Sequence, residues 1–301
     1  MNILSFGSLN LDKVYRVPHF VGPGETLSGL SLAEHCGGKG LNQSVAMAKA
    51  GGRVWHAGCV GRADGGPLLK MLADSGVDTS LVRQLDQPTG HAIIQVDESG
   101  QNCILLYGGA NQAITTGQID ETLERFQAGD LLVLQNEINN LPYLMEAAAR
   151  RGLAIVLNPS PMDEAILALP LEHVGYFLLN EVEARQLCGE DRAVEEYPQL
   201  LLERFPGSRI VLTLGSKGCI YQDACRRVEQ RAYRVRAVDT TAAGDTFTGY
   251  FLAAVSQGAP VEEALERATR AAAISVSRPG AATSIPTRAE VEAFTPDPQG
   301  N

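Results

Sequence analysis

The segment Asp239-Thr240-Thr241-Ala242-Ala243-Gly244-Asp245 sets a carboxylate at the start of a stretch whose apolar residues Phe247, Tyr250, Phe251, Ala254 and Val255 recur at helical spacing. Small residues open this helix. Without bulky side chains, the amides of Ala243, Gly244 and Asp245 are expected to converge on an anion, helped by the positive end of the helix dipole. A carboxylate beside such an anion hole can accept a proton from a hydroxyl while the amides stabilise charge on a group in transfer, the pairing that phosphoryl transfer needs. A second constellation, Gly37-Gly38-Lys39-Gly40-Leu41-Asn42, opens a helix-like run over residues 43–50 that stops at Gly51-Gly52. Its glycines allow close backbone approach to a polar ligand, and Asn42 offers both donor and acceptor to a hydroxyl. Asn10 and Asp12 stand two apart in extended chain after the first apolar run and so share one side, where an amide and a carboxylate suit a polyol. Each of these groups also has a purely structural reading, as a helix start or a turn residue.

Two nucleotide-binding patterns are missing. The glycine loop lacks the Gly-Lys-Ser/Thr ending of a P-loop, and no G-x-G-x-x-G directly follows the first strand, which argues against an NAD-dependent oxidoreductase.

The elements that must position these residues follow from short apolar runs at 3–6, 54–60, 131–134, 154–157, 176–179 and 210–214, each bounded by Gly, Pro or polar residues. Runs that are apolar without strict alternation read as strands covered on both faces of a parallel sheet. Helical patterns at 68–74, 142–151 and 181–187 lie between them and end near Gly76, Gly152 and Gly189. Strands alternating with helices predict an α/β fold with a mostly parallel sheet and right-handed crossovers. Residues 91–97 and 102–107 break that rhythm as a hairpin turning at 98–101, and 14–17 and 27–33 are further extended candidates. These pieces are expected to pair into a small sheet, a lid over the carboxyl ends of the parallel strands.

Composition narrows the partners. With 25 Lys+Arg against 35 Asp+Glu, the chain carries a net charge of −10 over 301 residues, which disfavours nucleic acid as a partner. Six scattered cysteines (Cys36, Cys59, Cys103, Cys188, Cys219 and Cys225) form no C-x-x-C pair, so zinc and disulfide scaffolds are not expected. No signal-like start or long apolar span is present, so no membrane partner and a cytoplasmic, reducing location are expected.

The two signatures carry a resemblance. Asp239 to Asp245 resembles the C-terminal signature of the ribokinase (PfkB-type) sugar kinase family, and Gly37-Gly38-Lys39-Gly40-Leu41-Asn42-Gln43-Ser44 resembles its N-terminal signature. Gly7-Ser8-Leu9-Asn10-Leu11-Asp12, Asn180-Glu181-Val182-Glu183 and Thr213-Leu214-Gly215-Ser216-Lys217-Gly218 match in the same order, so the similarity covers nearly the whole chain. It implies a single ribokinase-like α/β domain over 1–301, with a small β-sheet lid formed by inserted segments at about 11–35 and 88–109. By similarity, Asp245 is the catalytic base for a primary hydroxyl, and Ala242, Ala243 and Gly244 form the anion hole. Asn10, Asp12, Gly38, Lys39, Asn42 and Glu137 then resemble sugar contacts. Asn180 and Glu183 resemble a pair near the triphosphate and Mg2+, Glu183 on the metal side. Thr213, Gly215, Ser216 and Gly218 resemble a nucleotide loop, with Gly244 touching the same ligand. Asp239, Thr241, Ser275, Arg278, Gly280 and Ser284 match a monovalent cation site, for which potassium is expected. Ala268 departs from the family, standing where some members have a polar residue near the adenine.

The expected activity is therefore ATP-dependent transfer of the γ-phosphoryl group to a pentose, foremost D-ribose to ribose 5-phosphate. The alternatives are deoxyribose, another sugar or a nucleoside as acceptor, and a non-catalytic sugar or nucleotide sensor. A lid carrying Ile93, Ile94, Val96, Ile104, Leu105 and Leu106 would expose apolar area, which predicts a homodimer through the lid.

Overall fold

The computed structural model describes residues 1–295. β1 (Ile3–Phe6) is followed by β2 (Asn10–Arg16), β3 (Ser31–Gly37) and helix α1 (Lys39–Lys49); β4 (Val54–Gly61), α2 (Gly66–Asp74), β5 (Asp78–Leu85), β6 (Gly90–Val96) and β7 (Asn102–Tyr107) come next. The chain continues through α3 (Thr116–Leu123), β8 (Leu131–Gln135), α4 (Leu141–Arg150), β9 (Ala154–Asn158), β10 (Val174–Asn180), α5 (Glu181–Cys188), α6 (Tyr197–Arg204) and β11 (Arg209–Thr213). The hairpin β12 (Cys219–Gln222) and β13 (Arg227–Gln230) then precedes α7 (Ala243–Ser256), α8 (Val261–Val276) and α9 (Arg288–Ala293).

Nine strands form the main sheet in the order β13-β12-β11-β10-β9-β8-β1-β4-β5. All neighbours are parallel except β11–β12 and β12–β13. The apolar runs form strands because both faces are covered. Ile3, Val133, Val156, Leu178 and Val211 pack with α1, α2, α7 and α8, while Leu4, Leu132, Ile155, Phe177 and Leu212 pack with α3 to α6. Full burial of each such side chain stabilises by about 1.5–3 kcal/mol relative to exposure, so these strands are mostly apolar on both faces, with buried polar exceptions such as Ser5 in β1 and His56 in β4. β1 lies between β8 and β4, which is where the strand order reverses and where open α/β sheets bind ligands.

The expected lid is a second sheet in the order β3-β2-β6-β7. β2 pairs with β6 in parallel and with β3 antiparallel, so Asn10 lies opposite Gly37 and Gly90, and Asp12 opposite His35 and Ala92. The extended segment expected at 27–33 is found instead at Ser31–Gly37. β3 is exposed over most of its length, so no apolar pattern marks it, and its register follows from pairing with β2. β5, β12, β13, α3 and α6 were not legible either. The two-strand edge of β12 and β13 is antiparallel and partly exposed, which removes the long apolar run that betrayed the central strands.

Two contacts seat α1. His56 is wholly buried; Ser44 Oγ lies 2.8 Å from its Nδ1, and its Nε2 lies 3.2 Å from the Gly7 carbonyl. Burial pushes the imidazole down to about 4, so the neutral ring donates to Gly7 and accepts from Ser44, tying α1 to the end of β1. The second contact is with α7. A Cβ at Gly249 would lie 2.3 Å from Ala46 Cβ and 2.8 Å from the Met47 amide, so the helices can cross this closely only with no side chain at 249.

Gly249→Ala is therefore expected to lower stability by about 1–3 kcal/mol through overpacking, against its helix propensity. Gly117→Ala in α3, where an added Cβ meets nothing within 4 Å, should be neutral or stabilising by under about 1 kcal/mol. Thermal midpoints of both variants check the contrast, and a Gly249→Ala midpoint at or above that of the unsubstituted protein would contradict the packing argument.

Candidate active site

The start of α7 carries the candidate base. Ala242 caps the helix in the left-handed region at φ 59°, a conformation that costs a non-glycine residue roughly 1–3 kcal/mol and marks a backbone held for a purpose. Of the three amides expected to face an anion, that of Ala243 already donates to the Thr240 carbonyl at 3.2 Å. The Gly244 and Asp245 amides have no acceptor among the described residues, so the anion hole has two free donors rather than three. A Cβ at Gly244 would meet nothing within 4 Å, so the protein's own packing does not demand glycine there; the space lies open to a ligand.

Asp245 is buried and its carboxylate is held from α1. Asn42 Nδ2 donates to Oδ2 at 3.0 Å and Gln43 Nε2 donates to Oδ1 at 2.9 Å. Asn42 Oδ1 has no partner, which leaves an acceptor for a substrate hydroxyl. Gln43, although quoted within the signature, was not singled out by its sequence. Neither were Gln135 and Asn158, which the structure places beside it: Gln135 Nε2 donates to Gln43 Oε1 at 2.7 Å, and Gln43 Nε2 reaches Asn158 Oδ1 at 3.3 Å. A polar residue ending each of the apolar runs β8 and β9 is the signal that could have found them.

On the lid side, Glu137 accepts from Ser8 Oγ and, at 3.0 Å, from the Lys39 amide; Ser8 Oγ in turn accepts from the Gly40 amide at 3.2 Å. Gly40 is obligatory, because a Cβ there would lie 2.4 Å from the Ser8 amide nitrogen. Gly38, at φ 94°, passes the Asn10 and Ser8 backbones at contact distance. Asn10 Oδ1 accepts from Asn111 Nδ2 at 2.7 Å, and Asn111 also bonds both main-chain groups of Leu9. Asn111 thus orients Asn10 so that its amide edge remains for a ligand; nothing in its sequence surroundings announced this.

Asp12 accepts no hydrogen bond among the described residues, and its carboxylate lies where a Cβ of residue 37 would be, 2.0 Å from Oδ2. Burial, together with the charge of Glu137, pushes Asp12 up to about 6. Glu137 is raised too, by burial above all and by Asp245, against the lowering effect of Ser8 and Lys39. Glu137 therefore repels both Asp12 and Asp245.

A cleft of about 230 Å³ runs from Lys39 and Asp245 past Ala242, Ala243 and Gly244 to Asn158, Asn180, Glu183 and Thr213. Asn180 and Glu183 form a reciprocal capping box at the start of α5: Asn180 Oδ1 accepts from the Val182 and Glu183 amides, and Glu183 accepts from the Asn180 amide at 3.0 Å and side chain at 2.9 Å. The helix-start reading thus holds for both, while they also wall the cleft. Thr213 Oγ1 donates to the Leu179 carbonyl at 3.3 Å. Gly215 (φ 56°), Ser216 and Gly218 (φ 108°) lie beyond it in the β11–β12 turn, outside the cleft walls; a Cβ at Gly218 would strike the Gln230 carbonyl at 2.0 Å. Ala268 is fully buried in α8, so it presents no surface to a base.

The expected cation positions also converge. Asp239 accepts from the Thr241 amide at 2.9 Å and the Gly280 amide at 3.0 Å, and these bonds hold its carboxyl below the usual range despite burial. Ser275 and Ser284 share a hydrogen bond at 2.8 Å, and Thr246 donates to Ser275 at 3.3 Å. The Arg278 side chain is paired with Glu290 at 2.7 Å, so only its carbonyl could serve a cation. Among the described residues no cluster of three or more His, Cys, Asp or Glu is arranged to hold a metal ion. The cysteines are all unpaired, and no described helix is long and apolar enough to cross a membrane.

Comparison with known proteins bears on the family and the fold. The sequence profile of the pfkB family carbohydrate kinases matches residues 1–288. The chain is 36% identical over 298 residues to the ribokinase of Haemophilus influenzae, covering 96% of each. The crystal structure of ribokinase from Thermotoga maritima superposes with a TM-score of 0.87 at 36% identity, covering 97% of this chain and 98% of that one. The Arabidopsis thaliana ribokinase complexed with ribose and ATP superposes with a TM-score of 0.85 at 28% identity, covering 97% of both. The profile match over residues 1–288 and the 36% identity to a ribokinase along 96% of the chain make this chain a member of the pfkB family of carbohydrate kinases.

Proposed function

We propose that the protein is an ATP-dependent ribokinase that phosphorylates the primary hydroxyl of D-ribose to ribose 5-phosphate. The observation that carries this reading is the buried Asp245 carboxylate directly beside the free Gly244 and Asp245 amides, between a hydroxyl-binding cage and a cleft for the triphosphate. Asp245 takes the proton of the sugar hydroxyl as its oxygen bonds to the γ-phosphorus, and the bond from that phosphorus to the β-phosphate oxygen breaks with release of ADP. The two amides and the α7 dipole stabilise the charge on the oxygens in transfer. Asn10, Asp12, Asn42 and Glu137 hold the ring hydroxyls through their remaining donors and acceptors. The lid sheet excludes water so that sugar rather than solvent is the acceptor.

Magnesium bound to a triphosphate needs few protein oxygens, which fits a cleft whose acidic walls are Asp245 and Glu183. Both Glu183 oxygens already accept from Asn180 and retain lone pairs for a water of the metal's shell. The ion would neutralise charge on the phosphates. A hard monovalent cation fits the oxygens of Asp239, Thr241, Ser275, Arg278, Gly280 and Ser284, the Arg278 contribution being its carbonyl. Turnover compared in potassium and tetramethylammonium chloride tests that site.

The outer strand of the lid supports a dimer. Ile104, Leu105, Leu106 and Tyr107 of β7 are each more than half exposed, at 52%, 67%, 58% and 52%. Ile104 and Leu106 lie on one face of β7 and Leu105 and Tyr107 on the other, and a second copy packing through its own lid removes at least one of these pairs from water. Sedimentation should give a dimer at micromolar concentration, and a monomer there would count against the reading.

Asp245→Asn should lower ADP release in the presence of ribose by at least about a thousandfold while the ribose Kd changes by less than about threefold. Turnover within about tenfold of the unsubstituted protein would remove Asp245 from the role of base. Sugar hydroxyls donate to ionised Asp12, which ionises near 6, so ribose affinity should weaken as pH falls through that value, by up to about tenfold per unit. Binding titrations without nucleotide measure this. Asp12→Asn should bind more weakly at neutral pH and lack the step; a flat profile in the unsubstituted protein would show that Asp12 is not the acceptor.

A further inference from the structure

We propose that Gln43 is a positioning residue for phosphoryl transfer, its side-chain amide holding one oxygen of Asp245 in an orientation that Asn158 dictates and Gln135 supports. The inference rests on the reading of Asp245 as base. Gln43 is fully buried on the second turn of α1, and both its amide protons and its carbonyl oxygen are engaged inside the protein. Its Nε2 serves Asp245 Oδ1 at 2.9 Å and Asn158 Oδ1 at 3.3 Å, and its Oε1 accepts from Gln135 Nε2 at 2.7 Å.

That orientation has no alternative. Asn158 Nδ2 donates to the main-chain carbonyl of Leu178 at 2.8 Å, which turns the Asn158 oxygen toward Gln43. The ionised Asp245 carboxylate is acceptor-only. Two acceptors on one side demand the NH2 edge of Gln43, and its carbonyl edge must then face Gln135. A chain of side-chain amides anchored on the β10 backbone thus ends on the base. None of these three residues needs to touch sugar or nucleotide to do this.

The consequence is geometric. A carboxylate held by an amide donor on each oxygen presents its remaining lone pairs to a hydroxyl in one orientation, which proton abstraction requires. Lys39 and Glu137 at the α1 start and the β8 end, and Glu183 on α5, are the charged groups facing Asp245; Asn42 and Thr240 are its uncharged polar neighbours. None of the charged groups bonds Gln43, so they stay in place when Gln43 is replaced.

The test is the single-turnover rate of phosphoryl transfer from ATP with magnesium to D-ribose in Gln43→Met and Gln135→Met, set beside the ribose Kd of each variant. The rate should fall about tenfold in Gln43→Met while ribose affinity changes less than about threefold. Gln135→Met acts only through Gln43 and should lower the rate by less; should Gln43→Met fail to fold, it carries the test. A rate within about twofold of the unsubstituted protein, or a loss of ribose affinity as large as the loss of rate, overturns the proposal. With Asp245→Asn inactive, either result leaves the base assignment standing and removes only the role of Gln43.

Discussion

Asp245 is a buried carboxylate whose two oxygens are satisfied by Asn42 and Gln43, side chains about 200 residues away in sequence (|i−j| of 203 and 202). A buried charge without such donors would neutralise or drive the site apart. Meeting that demand sets much of the rest of the molecule. The starts of α1 and α7 must converge, which requires the side-chain-free crossing at Gly249 against Ala46 and Met47. α1 must also begin directly over the end of β1, which requires Gly40 against Ser8 and the buried His56 between Ser44 and Gly7. The reversal of strand order at β1 opens the rim into which both helix starts point.

Around this pair the site is built from opposed electrostatic demands. The sugar side gathers Asp12, Glu137 and Asp245, whose mutual repulsion and burial raise the first two. Such a cage is poorly satisfied when empty, and hydroxyl donors from a polyol supply what it lacks. The phosphate side needs the opposite sign, and the chain provides it locally through unpaired amides, a helix dipole and Lys39 rather than through its overall charge of −10.

Much of this was legible before any coordinates. The central strands announced themselves because burial on both faces keeps them mostly apolar, and the two signatures did so because anion binding and close backbone approach admit few residue types. β3 was misplaced by several residues for the converse reason, since an exposed lid strand takes its register from its partner and not from an apolar pattern. The Asn180 and Glu183 pair was legible as a helix start and as a cleft residue at once, and the structure gives it both parts. Ala243 was overcounted as an anion donor because a turn to Thr240, set by the left-handed Ala242, uses its amide.

The sequence by itself determined the class of fold, the order of the motifs, and the residues able to remove a proton, bind an anion and accept hydroxyls, because those properties reside in residue type and short-range spacing. Only the tertiary structure decided which of those groups meet. Asn111 behind Asn10, Gly37 beneath Asp12, and the amide chain from Leu178 through Asn158 and Gln43 to Asp245 join residues from different strands and helices. Hydrogen-bond donors and acceptors are ubiquitous along a chain, and their direction acquires meaning only when the sheet has fixed which ends of which strands share a rim.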